Sequence, residues 1–148
     1  MISAVVSALH VLALAIGLPS VFLRGRALRG PEPPRLDRLF AADNVWGAAA
    51  LLWVATGLLR AFGGLEKGSA FYLRSPLFWV KMGLFAAILA LEIWPMATFI
   101  RWRVQRGRGQ APDTSRARAL FLVNHVELAL VVLMVFTASL MARGVGLR

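Results

Sequence analysis

The sequence predicts an all-α integral membrane protein, a four-helix bundle with both termini on the extracytoplasmic side. Three observations carry this. The 148 residues are 59% hydrophobic, against roughly 45–50% in soluble domains, and their mean hydropathy is +0.69. Four apolar stretches, 2–23, 39–62, 76–100 and 118–142, each approach the roughly 20 residues that cross a ~30 Å hydrocarbon layer. The net charge of +10 is unevenly spread between the stretches. A disordered basic tail would lack the apolar residues. The spans take up most of the chain, so it reads as a single transmembrane domain, 1–148.

Backbone inside a bilayer must satisfy its own hydrogen bonds, which makes the spans helices. No stretch alternates polar and apolar residues as a membrane barrel requires. The first span, 2–23, is expected to stay in the protein as a helix. No Lys or Arg precedes it, and no small-residue cleavage site of the A-x-A kind follows it. The second, 39–62, is rich in Ala and Leu. The third, 76–100, opens on Pro76 and contains Pro95. The fourth, 118–142, is the most continuously apolar. Zero cysteines exclude disulfides, thiol nucleophiles, iron–sulfur clusters and c-type haem attachment.

Orientation follows from the arginines. The first connection, 24–38, holds Arg24, Arg26, Arg29, Arg35 and Arg38. The third holds Arg101, Arg103, Arg106, Arg108, Arg116 and Arg118. The second is poorer, with Lys67, Arg74 and, at its edge, Arg60. The positive-inside rule puts the first and third connections in the cytoplasm of a bacterial inner membrane, in a multi-pass arrangement. There the arginines face anionic lipid headgroups, and they call for no nucleic-acid partner. Trp46, Trp79, Trp94, Trp102 and Tyr72 fall near span ends, as interfacial aromatics do, while Trp53 is mid-span.

Ionisable groups at membrane depth are costly and usually face a bundle interior or a water-filled cavity. On the first span Ser3, Ser7, His10, Leu14, Gly17 and Val21 share one face. On the second, Asp43, Gly47, Ala50, Val54, Gly57 and Ala61 form a small-residue face that lets a neighbouring helix, of this chain or of a second copy or membrane partner, approach closely. Lys81 and Glu92 share a face of the third span, roughly 16 Å apart by helix rise. Depth then sorts the polar residues into two groups. A candidate ligand site in the outer half gathers His10, Arg60, Glu66, Lys67, Tyr72, Trp79 and Lys81. There His10 acts as ligand or hydrogen-bond donor, and Arg60 and Lys81 hold an anionic group. A second cluster in the inner half contains Asp43, Glu92, His125 and Glu127. A b-type haem would need His10 and His125 as axial pair, or Met82 as partner of His10. No motif for nucleotide binding, zinc hydrolysis or a nucleophile elbow is present.

Several blocks are familiar together: Arg38-Leu-Phe-Ala-Ala-Asp43-Asn-Val-Trp-Gly47, Thr56-Gly57-Leu-Leu-Arg60, Glu66-Lys67-Gly68, Phe78-Trp79-Val-Lys81, Pro95-Met-Ala-Thr98-Phe-Ile-Arg101-Trp102 and Met141-Ala-Arg143-Gly144. In these the chain resembles, over nearly its whole length, a family of small predicted bacterial membrane proteins known as a domain of unknown function. The resemblance implies four transmembrane helices and no mechanism. Leu9-His10 and Trp79-x-Lys81 are more distantly similar to the membrane protoporphyrinogen oxidases and the copper-resistance D-type membrane proteins. That similarity implies a tetrapyrrole or haem pocket at His10 and Lys81. The chain departs from the oxidase pattern in two places: its Trp-to-Lys spacing is one residue shorter, and Glu92 stands where a further histidine is expected.

Overall fold

The computed structural model describes residues 1–29, 34–64 and 69–145. Five helices follow one another: α1 (Ile2–Leu28), α2 (Leu36–Phe62), α3 (Ser69–Arg74), α4 (Pro76–Gly107) and α5 (Ala117–Ala142). Four of them, α1, α2, α4 and α5, are long and apolar enough to cross a membrane. Among the described residues there is no strand. The predicted all-helical four-span architecture is therefore observed, with the short α3 added between the second and third spans.

Local chemistry sets the helix ends. Pro76 opens α4 at its first turn, where its missing N–H costs nothing. Asp37 lies in the first turn of α2 and suits the positive end of the helix dipole. Just beyond the end of α4, Gly109 takes a left-handed φ of 72°, and Gln110 N–H bonds back to Gln105 O at 3.0 Å. Glycine is the residue that adopts this closing turn without a Cβ clash.

Three helix ends correct the expected spans. α1 continues past residue 23 to Leu28, α2 begins at Leu36 rather than 39, and α4 continues past residue 100 to Gly107. Arg24, Arg26, Arg38, Arg101, Arg103 and Arg106 are thus helical rather than in connections. Helices of 27 and 32 residues run roughly 40 and 48 Å, longer than the hydrocarbon layer, so their ends project past it.

α1 packs along the whole of α2, α4 along α5, and α1 against α5. α2 and α4 do not approach one another as closely along their backbones. Three apolar clusters stack down the bundle. At the end carrying the α1–α2 and α4–α5 connections, called here the arginine-rich end, lie Ala27, Leu28, Leu39, Phe99, Trp102, Ala117 and Leu120. The middle holds Val21, Trp46, Ile88, Val131 and Met134. The end carrying the termini holds Tyr72, Phe78 and Met141.

The face expected on α1 is the face observed. Gly17 and Val21 are buried, and Ser3, Ser7, His10 and Leu14 are partly buried. The face expected on α2 is turned by about one residue. Leu39, Ala42, Trp46, Ala49 and Thr56 are buried, whereas Gly47 is exposed with nothing within 4 Å of where its Cβ would be. The reason is Trp46, whose ring fills the space above Gly17. A Cβ at Gly17 would lie 3.2 Å from that ring. The large side chain, not the small ones, sets the helix rotation.

Gly25 is the tightest approach of α1 to α5, because a Cβ there would meet Asn124 Nδ2 at 2.8 Å. Asn124 cannot yield, being bonded to Arg24 and to Val21 O. Gly25→Ala should therefore lower stability by about 1–3 kcal/mol, the range for overpacking. Gly47→Ala should leave it unchanged or raise it, by up to about 1 kcal/mol from helix propensity. Thermal unfolding of the two purified variants in detergent checks the contrast.

Candidate functional site

Near the termini end the helices diverge around a cavity of about 330 Å³. Its wall comes from every helix: His10 and Leu14 of α1, Trp53 to Phe62 of α2, Tyr72 of α3, Phe78 to Phe85 of α4 and Met134 to Ala142 of α5. The wall is mostly aliphatic and aromatic. Its polar members are few: His10, Arg60, Tyr72 and Lys81, with Trp53. This is the usual make-up of a small-molecule pocket, a concave apolar wall with a few placed polar groups.

Each polar group has a local reason for its place. His10 is on the inward stripe of α1, and its ring reaches α2 because Gly57 presents no side chain; a Cβ there would sit 3.2 Å from the imidazole. His10 Nδ1 is 2.9 Å from Thr56 Oγ1. The Thr56 hydroxyl itself reaches Leu52 O at 2.7 Å. With its single proton directed there, the Thr56 oxygen accepts from His10 Nδ1–H. The imidazole also lies 5.7 Å from the Trp53 ring. The Trp53 indole N–H is buried without a hydrogen-bond partner. α3 brings Tyr72 over the cavity, where it packs on Phe78 at 5.9 Å between ring centroids.

Of the residues expected in the outer-half site, the structure brings His10, Arg60, Tyr72 and Lys81 to one cavity wall. Trp79 is not there. It is 58% exposed, and its Nε1–H donates to Leu73 O at 3.1 Å, so it braces the α3–α4 corner from outside. Glu66 and Lys67 lie outside the described residues.

The second cluster is rearranged. Asp43, Glu92 and Glu127 do converge, but around a residue the sequence reading had placed in a connection. Arg24 is 0% exposed. Its Nη1 and Nη2 donate to the two Glu92 oxygens at 2.6 and 2.9 Å, a bidentate pair. The same nitrogens reach Asp43 at 3.2 Å and Glu127 at 2.5 Å. Its Nε–H donates to Asn124 Oδ1 at 2.7 Å, and the Phe99 ring lies 5.7 Å away. Asp43 in turn accepts from Arg103 at 2.7 Å. Further along, Arg106 of α4 pairs with Asp37 of α2 at 2.6 Å.

His125 does not join this cluster. It is exposed, bonds Phe121 O through Nδ1 at 2.8 Å and packs against the Phe121 ring at 4.0 Å between centroids, tilted by 47°. It also abuts Gly25, whereas His10 lies fifteen residues earlier on the same helix, roughly 22 Å away by helix rise. The expected His10–His125 axial pair is therefore not formed. Met82, the other expected partner, does line the same cavity as His10. Among the described residues no group of three or more His, Asp or Glu has the geometry of a metal site.

The signal for Arg24 was in the spacing. The inward stripe of α1 runs His10, Leu14, Gly17, Val21, and the next step of three is Arg24. Losing one member of a buried ionic cluster leaves the others uncompensated, at about 3–5 kcal/mol. Arg24→Ala should reduce the stability of the purified protein by that order. Arg24→Lys should restore little, because an ammonium cannot make the bidentate pair. Chemical denaturation followed by tryptophan fluorescence measures both.

Residues 2–146 match the family described as Predicted membrane protein (DUF2214), and the chain belongs to that family. No curated protein and no solved structure matches it.

Proposed function

We propose that this predicted membrane protein binds an amphipathic small molecule in the termini-end cavity, apolar body against the wall and anionic or acceptor head at the basic rim. The observation that carries the reading is the joint placement of His10, Arg60 and Lys81 in an otherwise apolar cavity of about 330 Å³, within the range of roughly 300–1,000 Å³ for ligand sites. The buried, unpartnered Trp53 N–H supports it, since a buried donor without an acceptor costs about 1–3 kcal/mol and a bound oxygen would relieve that cost. The backbones of α2 and α4 do not pack closely, which supports entry from the lipid side.

Binding of dodecyl phosphate tests this. In an uncharged detergent it should raise the melting temperature of the purified protein more than dodecyltrimethylammonium does. The double variant Arg60→Gln/Lys81→Gln should weaken it by roughly tenfold or more, since each charged hydrogen bond contributes about 1.5–3 kcal/mol. Equal shifts with both amphiphiles would remove the anionic head from the proposal, and no shift with either would remove the ligand. A second reading, b-type haem held by His10 and Met82, rests on their sharing the cavity wall. After expression with haem supplied, it requires a Soret band that His10→Ala abolishes; a colourless sample discards it.

We further propose that the protein lies multi-pass in a bacterial inner membrane, with its arginine-rich end in the cytoplasm against anionic headgroups and with no nucleic-acid partner. Of the cations at that end, Arg24 is neutralised inside the bundle, but Arg26, Arg29, Arg35, Arg38, Arg101, Arg108, Arg116 and Arg118 still outnumber those at the other end. The exposed small residues around Gly47 leave room for a second copy or a membrane partner. Reporter fusions after Arg148 should be active only as extracytoplasmic reporters; cytoplasmic activity would invert the orientation.

A further inference from the structure

The Arg24 cluster contains more carboxylates than cations can match. Arg24 and Arg103 face Asp43, Glu92 and Glu127. Counted as fully ionised, that is two positive charges against three negative ones. Among the described residues, the charged and polar groups that face it are Arg24 of α1, Asp43 of α2, Glu92 and Arg103 of α4, and Glu127 with the neutral Asn124 of α5. An unbalanced charge at this depth is expensive.

One atom says where the balance is made. Glu127 has no exposed side-chain surface. Its Oε2 accepts from Arg24, but its Oε1 is buried with no hydrogen-bond partner. Arg24 Nη2 donates to both Glu92 Oε2 and Glu127 Oε2, at 2.9 and 2.5 Å, which sets the two carboxyls side by side on one nitrogen. Both are acceptors when ionised, so neither can satisfy the other. A single proton held by the pair turns one carboxyl into a donor and brings the cluster from −1 to zero.

We infer that Glu92 and Glu127 form a one-proton site, with Arg24 clamping both carboxyls from the opposite side. The proton is taken from water, and the carboxyl pair passes from two negative charges to one. Exchange runs through the α2–α4 seam, where Glu92 and Asp43 keep 21% and 16% of their side-chain surface and Arg103 keeps 35%. Glu127, fully enclosed, is the inner end of that route. The site is independent of the cavity ligand: it uses different residues, and Leu14, Gly17 and Val21 separate the two along α1.

Infrared spectroscopy of the purified full-length protein in uncharged detergent tests the proposal. At neutral pH the wild type should show the C=O stretch of a protonated carboxylic acid, shifted in D₂O. That band should be lost in Glu127→Gln and in Glu92→Gln, and kept in Asp37→Asn, whose carboxylate is 84% exposed. Glu127→Gln should also melt close to wild type, because an amide reproduces the protonated acid: its oxygen accepts from Arg24 and its NH₂ donates to Glu92. A wild type with carboxylate bands only overturns the inference, and so does an acid band that survives both glutamine variants. If instead the acid band is absent and sodium chloride raises the melting temperature above that in choline chloride, a metal cation balances the cluster and the proton does not. Should either glutamine variant fail to fold, the wild-type spectrum and the remaining variant decide.

Discussion

A guanidinium with no exposed surface, set among apolar helices, has to be neutralised and hydrogen-bonded on every side or it unfolds its surroundings. Arg24 meets that demand by drawing on all the long helices at once: its own, Asp43 of α2, Glu92 of α4, and Asn124 and Glu127 of α5. Apolar contacts are non-directional, and between helices in lipid they discriminate weakly among rotations and vertical offsets. A bidentate pair tolerates little of either. The cluster therefore fixes the register of the bundle, and the apolar layers above and below it pack into a frame already aligned. Its net stabilising effect is modest by the same reasoning, because the desolvation of each ion opposes the attraction between them.

That constraint divides the molecule. Toward the arginine-rich end, two further cross-links join α4 to α2, Arg103 to Asp43 and Arg106 to Asp37, with the Arg103 guanidinium over the Phe40 ring at 4.9 Å. These span the one pair of long neighbouring helices whose backbones do not pack closely. Toward the termini no comparable ionic staple between α2 and α4 is seen among the described residues, and the space between the helices opens into the cavity. The closed end holds the register, so the open end can keep an apolar hollow without losing the fold.

Fold and site were legible to different degrees. Four spans, their order and the inward stripe of α1 follow from hydropathy and a spacing of three and four, which the bilayer enforces strictly. The cavity residues His10, Arg60, Tyr72 and Lys81 were grouped by depth alone, and depth survives errors in helix rotation. What failed were readings that needed rotation or a helix end. Arg24 reads as part of a connection because it opens the arginine run that continues with Arg26 and Arg29, although the stripe reaches it in step. His125 was grouped with Glu127 on depth, yet two residues apart on a helix point in quite different directions. On α2 the small residues advertised a packing face, but Trp46, having the largest surface to bury, took the inward position and turned Gly47 outward. The helix ends of α1 and α4 were hidden for a related reason: polar arginines continue a helix as well as leucines do once it has left the hydrocarbon.

The two polar regions are kept apart by a dry layer, and that layer limits what the protein can do. Between His10 and Arg24 on α1 stand Leu14, Gly17 and Val21; between Met134 of the cavity and Glu127 on α5 stands Val131. Val21 and Val131 are both 0% exposed, and Trp46 and Ile88 complete the same layer. It holds no charged side chain to relay a proton, and a water there would find few of the two to four partners it needs. A charge moved between cavity and cluster would have to cross apolar packing, so the geometry argues against a continuous conduction path. The cavity and the Arg24 cluster are joined only by packing across this layer. Met134, which lines the cavity, is one turn from Val131, and Val131 is one turn from Glu127 on the same face of α5, so an occupant of the proposed site would press on that row. Close-packed interiors transmit such displacements, and a clamp as directional as the Arg24 pair is the element most sensitive to them.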